Sequence, residues 1–143
     1  MKKLIIFVFC SILVVSCTTI KKENKVKIIV GIDKYSPIMS SVPGIPLIPE
    51  YYSNENSKTY MFQWITEQGH FIKWDDNYKI IQLENIVKNN GEKIFWSIDF
   101  EQKEEETPFR IWLKVIDLET ENILGETKVS VEKNNEGFYV IKK

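Results

Sequence analysis

The residues able to do chemistry are few: the thiols of Cys10 and Cys17, the imidazole of His70, and two clusters of oxygen donors, Asp75-Asp76-Asn77 and Glu104-Glu105-Glu106. A thiolate is a nucleophile, an imidazole is a base or a metal ligand, and clustered carboxylates hold Ca²⁺ or a cationic partner. Nucleophilic catalysis would have to be built on the one histidine, and no Gly-rich nucleophile elbow accompanies it. His70 follows Gly69 and reads as a turn residue. Zinc asks for more nitrogen or sulfur ligands than this sequence offers. Asp75, Asp76 and Asn77 lack the alternating spacing of a dedicated calcium loop and read as a hydrophilic turn. Glu104 to Glu106 read as a solvated loop. The expectation is a non-enzymatic chain without metal or cofactor.

Cys17 is set apart by what precedes it. Lys2 and Lys3 lead into an apolar run from Leu4 to Val15, closed by the small Ser16. As a helix that run spans only about 18 Å at ~1.5 Å per residue, short of the roughly 30 Å hydrocarbon layer of a bilayer. A basic start, a short apolar core and a small residue at its end describe a cleaved secretory signal peptide. Val14-Val15-Ser16-Cys17 also resembles the lipobox of bacterial lipoproteins, with valine where leucine is more usual. The resemblance implies that a diacylglyceryl group joins the Cys17 thiol, that residues 1–16 are removed, and that Cys17 becomes an acylated (palmitate-type) N-terminus. It further implies lipid anchoring on the extracytoplasmic side of a cell membrane or outer membrane. Cys10 would leave with the signal peptide, so the processed chain has no intramolecular disulfide to form.

Size and charge narrow the rest. The chain carries 19 Lys+Arg against 20 Asp+Glu, a formal net charge of −1, and losing Lys2 and Lys3 makes it more acidic. Nucleic acid, which calls for a basic excess, is not expected as a partner. Residues 17–24 are polar and without period, and read as a lipidated tether. The eight residues "TTIKKENK" reach about 26 to 29 Å when extended, with Lys21 and Lys22 within reach of anionic head groups. Residues 25–143 are long enough for one domain, which must stand on its core alone.

That domain reads as strands. Val26, Ile28, Val30 and Ile32 fall on one face at period two, as do Tyr60, Phe62, Trp64 and Thr66, then Ile94, Trp96, Ile98 and Phe100, and Phe109, Ile111, Leu113 and Val115. Gln68-Gly69, Asp75 to Asn77, Asn90-Gly91 and "KNNEG" supply turns. The segment "YKIIQLENIV" reads as a strand followed by a loop. Between residues 36 and 57 lie Pro37, Pro43, Pro46 and Pro49, which argue against a helix and against a central strand, so this stretch reads as a long, partly extended connection. "YMFQWITEQGHF" followed by "FRIWLKVIDLETENILGETKVSV" is similar to immunoglobulin-like domains of bacterial surface proteins, the PKD-like kind included. That likeness implies a core Trp64 and an Asp117 that ends a late long strand. It departs at the front, where the proline-rich connection is long, and it lacks a cysteine pair. The expected fold is all-β, a single antiparallel immunoglobulin-like β-sandwich of about 7–8 strands.

Two surfaces stand out as partner sites. Alternation puts Arg110, Trp112 and Lys114 on the face opposite Phe109, Ile111 and Leu113. There Trp112 is either a contact surface or a ring covered by cationic stems and an edge loop. Tyr51 and Tyr52 end an apolar stretch that packs on its own sandwich or meets a partner. The expected function is a membrane-anchored binding or accessory module meeting an envelope protein. The alternative is an extracytoplasmic sensor or inhibitor domain related to proteases or antibiotics, since "VPGIP", "GHFIKW" and "GEKIFWS" are similar to parts of bacterial β-lactam sensors.

Overall fold

A computed structural model of the chain describes residues 25–53, 59–101 and 107–142. The expected signal peptide (1–16), Cys17 and the expected tether (17–24), together with Glu104 to Glu106, lie outside the described residues. The described residues are all-β and form two antiparallel sheets. In chain order the strands are β1 (Lys25–Val30), β2 (Lys34–Tyr35), β3 (Ile45–Tyr52), β4 (Tyr60–Thr66), β5 (His70–Trp74), β6 (Ile80–Gln82), β7 (Ile86–Asn89), β8 (Ile94–Ser97), β9 (Phe109–Asp117), β10 (Ile123–Lys133) and β11 (Tyr139–Lys142). One sheet runs β1-β3-β8-β5-β6 and the other β2-β11-β10-β9-β4-β7. Eleven strands replace the expected seven or eight, the additions being short edge pieces such as β2 and β6.

Alternation builds the core directly. Phe109, Ile111, Leu113 and Val115 of β9 are buried, as are Phe62, Trp64 and Thr66 of β4 beside them. They face Ile45, Leu47, Phe71, Ile94 and Trp96 of the other sheet. Trp64 leans on Phe71 across the gap at a ring-centroid distance of 6.3 Å. Trp96 contacts Phe109 and Tyr139, each at 5.3 Å, and its indole N–H donates to the Gln68 carbonyl at 2.8 Å. Gly69, with φ of 72°, makes that turn possible, since a Cβ there would run into the Ser97 carbonyl oxygen. β9 ends at Asp117, whose Oδ1 accepts the backbone N–H groups of Glu119 and Thr120.

The structure corrects three expectations. The proline-rich stretch is a central strand, β3, hydrogen-bonded to β1 on one side and β8 on the other. It escapes the usual objection because its two neighbours cover different halves. Backbone N–H and C=O groups alternate sides along a strand. The Pro46 carbonyl accepts from the Gly31 N–H at 2.9 Å, so Pro46 faces β1 one step beyond the last β1–β3 pair, Val30 with Leu47. Pro49, three residues on, faces the β8 side, where pairing has already stopped at Leu47 with Ile94. The missing N–H of Pro46 therefore falls at the last bond of the β1 side, and that of Pro49 where pairing with β8 has ended. The loop expected after Ile80–Gln82 is instead β7, which leaves the first sheet and pairs with β4 in the second. Phe100, expected inward, is 69% exposed, because β8 ends at Ser97 and alternation ends with it.

Tyr35 pins the connection between β2 and β3. Its hydroxyl lies 3.0 Å from Ser97 Oγ and donates to the Pro43 carbonyl at 3.1 Å. Burial pushes its phenol pKa up, partly offset by the Ser97 hydrogen bond and reinforced by Asp99 and Tyr139. The unfolded chain then loses this proton first as pH rises. Stability is intact below about pH 10, the ordinary phenol value, and falls above it until the folded phenol also ionises. Urea midpoints at neutral pH and near pH 10.5 should show a drop in the wild type that is smaller in Tyr35→Phe. The phenylalanine variant should itself start about 1 kcal/mol lower through the lost hydroxyl.

Candidate functional site

The second sheet turns its outer face to solvent at β9. Arg110, Trp112 and Lys114 share that face, as alternation requires, and the register decides their neighbours. Trp112 lies opposite Ile65 of β4 on one side and Lys128 of β10 on the other. The Lys128 ammonium sits 4.7 Å from the Trp112 ring centroid, and the ring is half-buried. The cover on Trp112 is thus a lysine from the next strand, not an edge loop. Lys114 pairs in register with Glu126 and Gln63. Arg110 is tied to Glu67: the guanidinium approaches the carboxylate at 3.9 Å, and the Arg110 backbone N–H donates to it at 2.8 Å.

Two shallow hollows open on this face, one of them against the ring. One of about 290 Å³ is lined by Ile65, Trp112, Lys114 and Glu126. The other, about 200 Å³, is lined by Arg110, Lys128, Val129, Ser130 and Lys142. An aromatic edge between ammonium groups attracts carboxylates electrostatically and takes a flat apolar or aromatic group by contact. Open hollows of this size suit a protruding side chain of a partner better than an enclosed small molecule.

The structure separates the two tyrosines from this site and from each other. Tyr52 is 57% exposed, but on the outer face of the first sheet, across the sandwich from Trp112. Tyr51 points inward, its ring edge-on to Tyr60 at 4.9 Å, with a buried hydroxyl that finds no hydrogen-bond partner among the described residues. The pair expected as one contact is therefore divided by alternation, and Tyr52 alone is offered to solvent. His70 opens β5 opposite Ser97. Asp75 Oδ1 accepts the backbone N–H groups of Asn77 and Lys79 at 2.9 and 2.7 Å, which closes its turn. Among the described residues no three His, Cys, Asp or Glu side chains gather as a metal set.

Sequence reasoning missed Lys128, Lys142 and Ile65 as members of the Trp112 face. Alternation within "TKVSVE" does turn Lys128 away from Val129 and Val131. Its partner across the hairpin was not countable, because a bulge between Ile123 and Gly125 shifts the register. A larger groove, about 520 Å³, opens at the other edge of the sandwich and is lined by Lys73, Trp74, Leu83, Lys88, Lys93 and Phe95 among others. No family model, curated protein or solved structure matches this chain.

Proposed function

We propose that this chain is a bacterial lipoprotein, anchored through Cys17 on the extracytoplasmic side of the envelope, whose immunoglobulin-like domain is a non-catalytic module binding an acidic or aromatic partner surface at Trp112. The lipobox-like Val14-Val15-Ser16-Cys17 and the polar residues after it support the anchor. The strand orders β1-β3-β8-β5 and β10-β9-β4 support the immunoglobulin-like reading, since they place a tryptophan-bearing strand, β4, beside a late long strand, β9. The observation that carries the binding role is the outward Trp112, with the Lys128 ammonium 4.7 Å from its ring and a hollow that it lines together with Ile65, Lys114 and Glu126. Buried aromatic anchors of this kind lose about 2 kcal/mol or more of binding when truncated.

Trp112→Ala should change the thermal midpoint little, since the ring lies on the outer sheet face and its surface cation–π contact contributes about 0.5–1 kcal/mol to folding. The same substitution should abolish cross-linking of the protein to its envelope partner. A large loss of thermal stability with cross-linking intact would show that the ring serves the fold, and would end the proposal.

A further inference from the structure

The outer face of the first sheet differs from the Trp112 face. Cross-strand partners share a face, so the registers can be followed across all five strands. Ile29 of β1 pairs with Ile48 of β3, and Trp74 of β5 pairs with Ile80 of β6. Continued past their last pairs, by one residue for β3 and two for β5, the registers set Lys93, the residue before β8, across from Ile48 and Trp74. The result is a straight row, Ile29, Ile48, Lys93, Trp74 and Ile80, with its four apolar members exposed, Trp74 by 45% and Ile80 by 50%. Beneath it on the same face lie Pro46, Phe95 and Ile72. Towards the start of β1 the face continues into Lys27 and Lys25, with Tyr52 paired to Lys25. The Lys27 ammonium lies 5.9 Å from the Tyr52 ring and the Lys93 ammonium 5.4 Å from the Phe95 ring, so both cations stay at the edge of apolar surface.

Charge and attachment select the occupant. Among the described strand residues on this face, Lys25 and Lys27 stand against one carboxylate, Glu50, which is paired across from Lys27, in a chain whose overall charge is negative. The edge strand of the sheet begins at Lys25, eight residues after Cys17, within about 29 Å of any lipid placed there. A row of aliphatic residues with a tryptophan, bordered by lysines and a tyrosine, matches the boundary between acyl chains and anionic head groups.

We propose that the outer face of the first sheet lies on an anionic bilayer surface, with Trp74, Ile29, Ile48 and Ile80 at the acyl boundary and Lys25, Lys27 and Lys93 at the head groups. This rests on the lipid anchor proposed above. It also orients the module: with β1-β3-β8-β5-β6 on the membrane, the opposite sheet presents Trp112 away from it, towards a partner.

The test uses the full chain produced in a bacterial host, purified and incorporated into phosphatidylglycerol vesicles with brominated acyl chains, which quench tryptophan on contact. Trp64 and Trp96 are fully buried, so the accessible signal divides between Trp74 and Trp112. The expected result is quenching that falls by half or more in Trp74→Phe and is unchanged in Trp112→Phe. Ile80→Ser, at an exposed edge position, should weaken quenching in the same direction without disturbing the core. Replacing phosphatidylglycerol by phosphatidylcholine should reduce it several-fold. Quenching that Trp74→Phe leaves intact, or that Trp112→Phe removes, overturns the orientation. Equal quenching on both lipids overturns the role of the lysines. Disulfide-linked dimers of Ile48→Cys in place of lipid contact would assign the face to a second copy and overturn it as well. The mass of the N-terminal peptide from the same preparation scores the anchor separately. If Cys17 is unmodified the anchoring proposal fails, and quenching with the same vesicles still decides the face.

Discussion

Trp64→Ala should lower the unfolding free energy by roughly 3 to 5 kcal/mol, as large-to-small aromatic changes in packed cores do. Trp64 is fully buried, sits between Phe71 of the facing sheet and the aliphatic row of β9, and has no solvent-facing side from which water could fill the space. Its indole N–H is buried without a hydrogen-bond partner among the described residues, so Trp64→Phe removes volume but also that donor. Trp96 offers the contrast. It is equally buried, yet its N–H holds the Gln68 carbonyl in the Gly69 turn. Trp96→Phe should therefore cost about 1 kcal/mol more than Trp64→Phe, the worth of one buried hydrogen bond. Chemical denaturation of the wild type and the three variants, with m-values compared to check two-state unfolding, measures both differences. Equal costs for the two phenylalanine substitutions would show that ring volume, not the Gln68 contact, sets the stability of that turn.

Cys17→Ser should convert a membrane-bound protein into one released by extraction. Two acyl chains anchor stably, at about 0.8 kcal/mol per buried CH₂, where one chain binds only marginally. The wild type should remain with membranes through alkaline carbonate washing, and its N-terminal peptide should carry the mass of a diacylglyceryl cysteine. The serine variant should lose both properties. A wild-type protein found free in the medium, or an unmodified Cys17, would remove the anchor from the proposed function. The Trp112 face would stand or fall by its own cross-linking result.

The two outer faces divide the labour that these proposals require. One carries aliphatic residues, a tryptophan and lysines over five strands, beginning at the strand nearest the tether. The other carries a tryptophan clasped by Lys128, with Glu67 and Glu126 among its cations. Carboxylates within the second face favour a specific protein surface over an anionic bilayer, because their repulsion from head groups opposes flat docking.

The amino-acid sequence by itself determined the all-β class, and for a local reason. Alternation in Tyr60–Thr66 and Phe109–Asp117 sorts each residue to one of two faces whatever the neighbouring strand is, so Trp64, Leu113 and Val115 were legible as core. The turns at Gly69, Gly91 and Gly137 were legible too, since each needs a positive φ that glycine accepts without strain. Alternation likewise turned Arg110, Trp112 and Lys114 outward together. Whatever depends on which strand lies alongside was decided by the tertiary structure. Pro46 and Pro49 are tolerated in a central strand because the missing N–H of Pro46 falls at the end of the β1 side and that of Pro49 beyond the last pair with β8, a fact of register that propensity does not carry. Phe100 is exposed because β8 stops at Ser97, where pairing with β5 ends. Lys128 meets Trp112 because a bulge near Leu124 resets the hairpin, and the apolar row from Ile29 to Ile80 exists only once five strands distant in sequence are set side by side. Local preference acts within a few residues, whereas these features require contacts between residues tens of positions apart, and the chain fixes those only by burying its core.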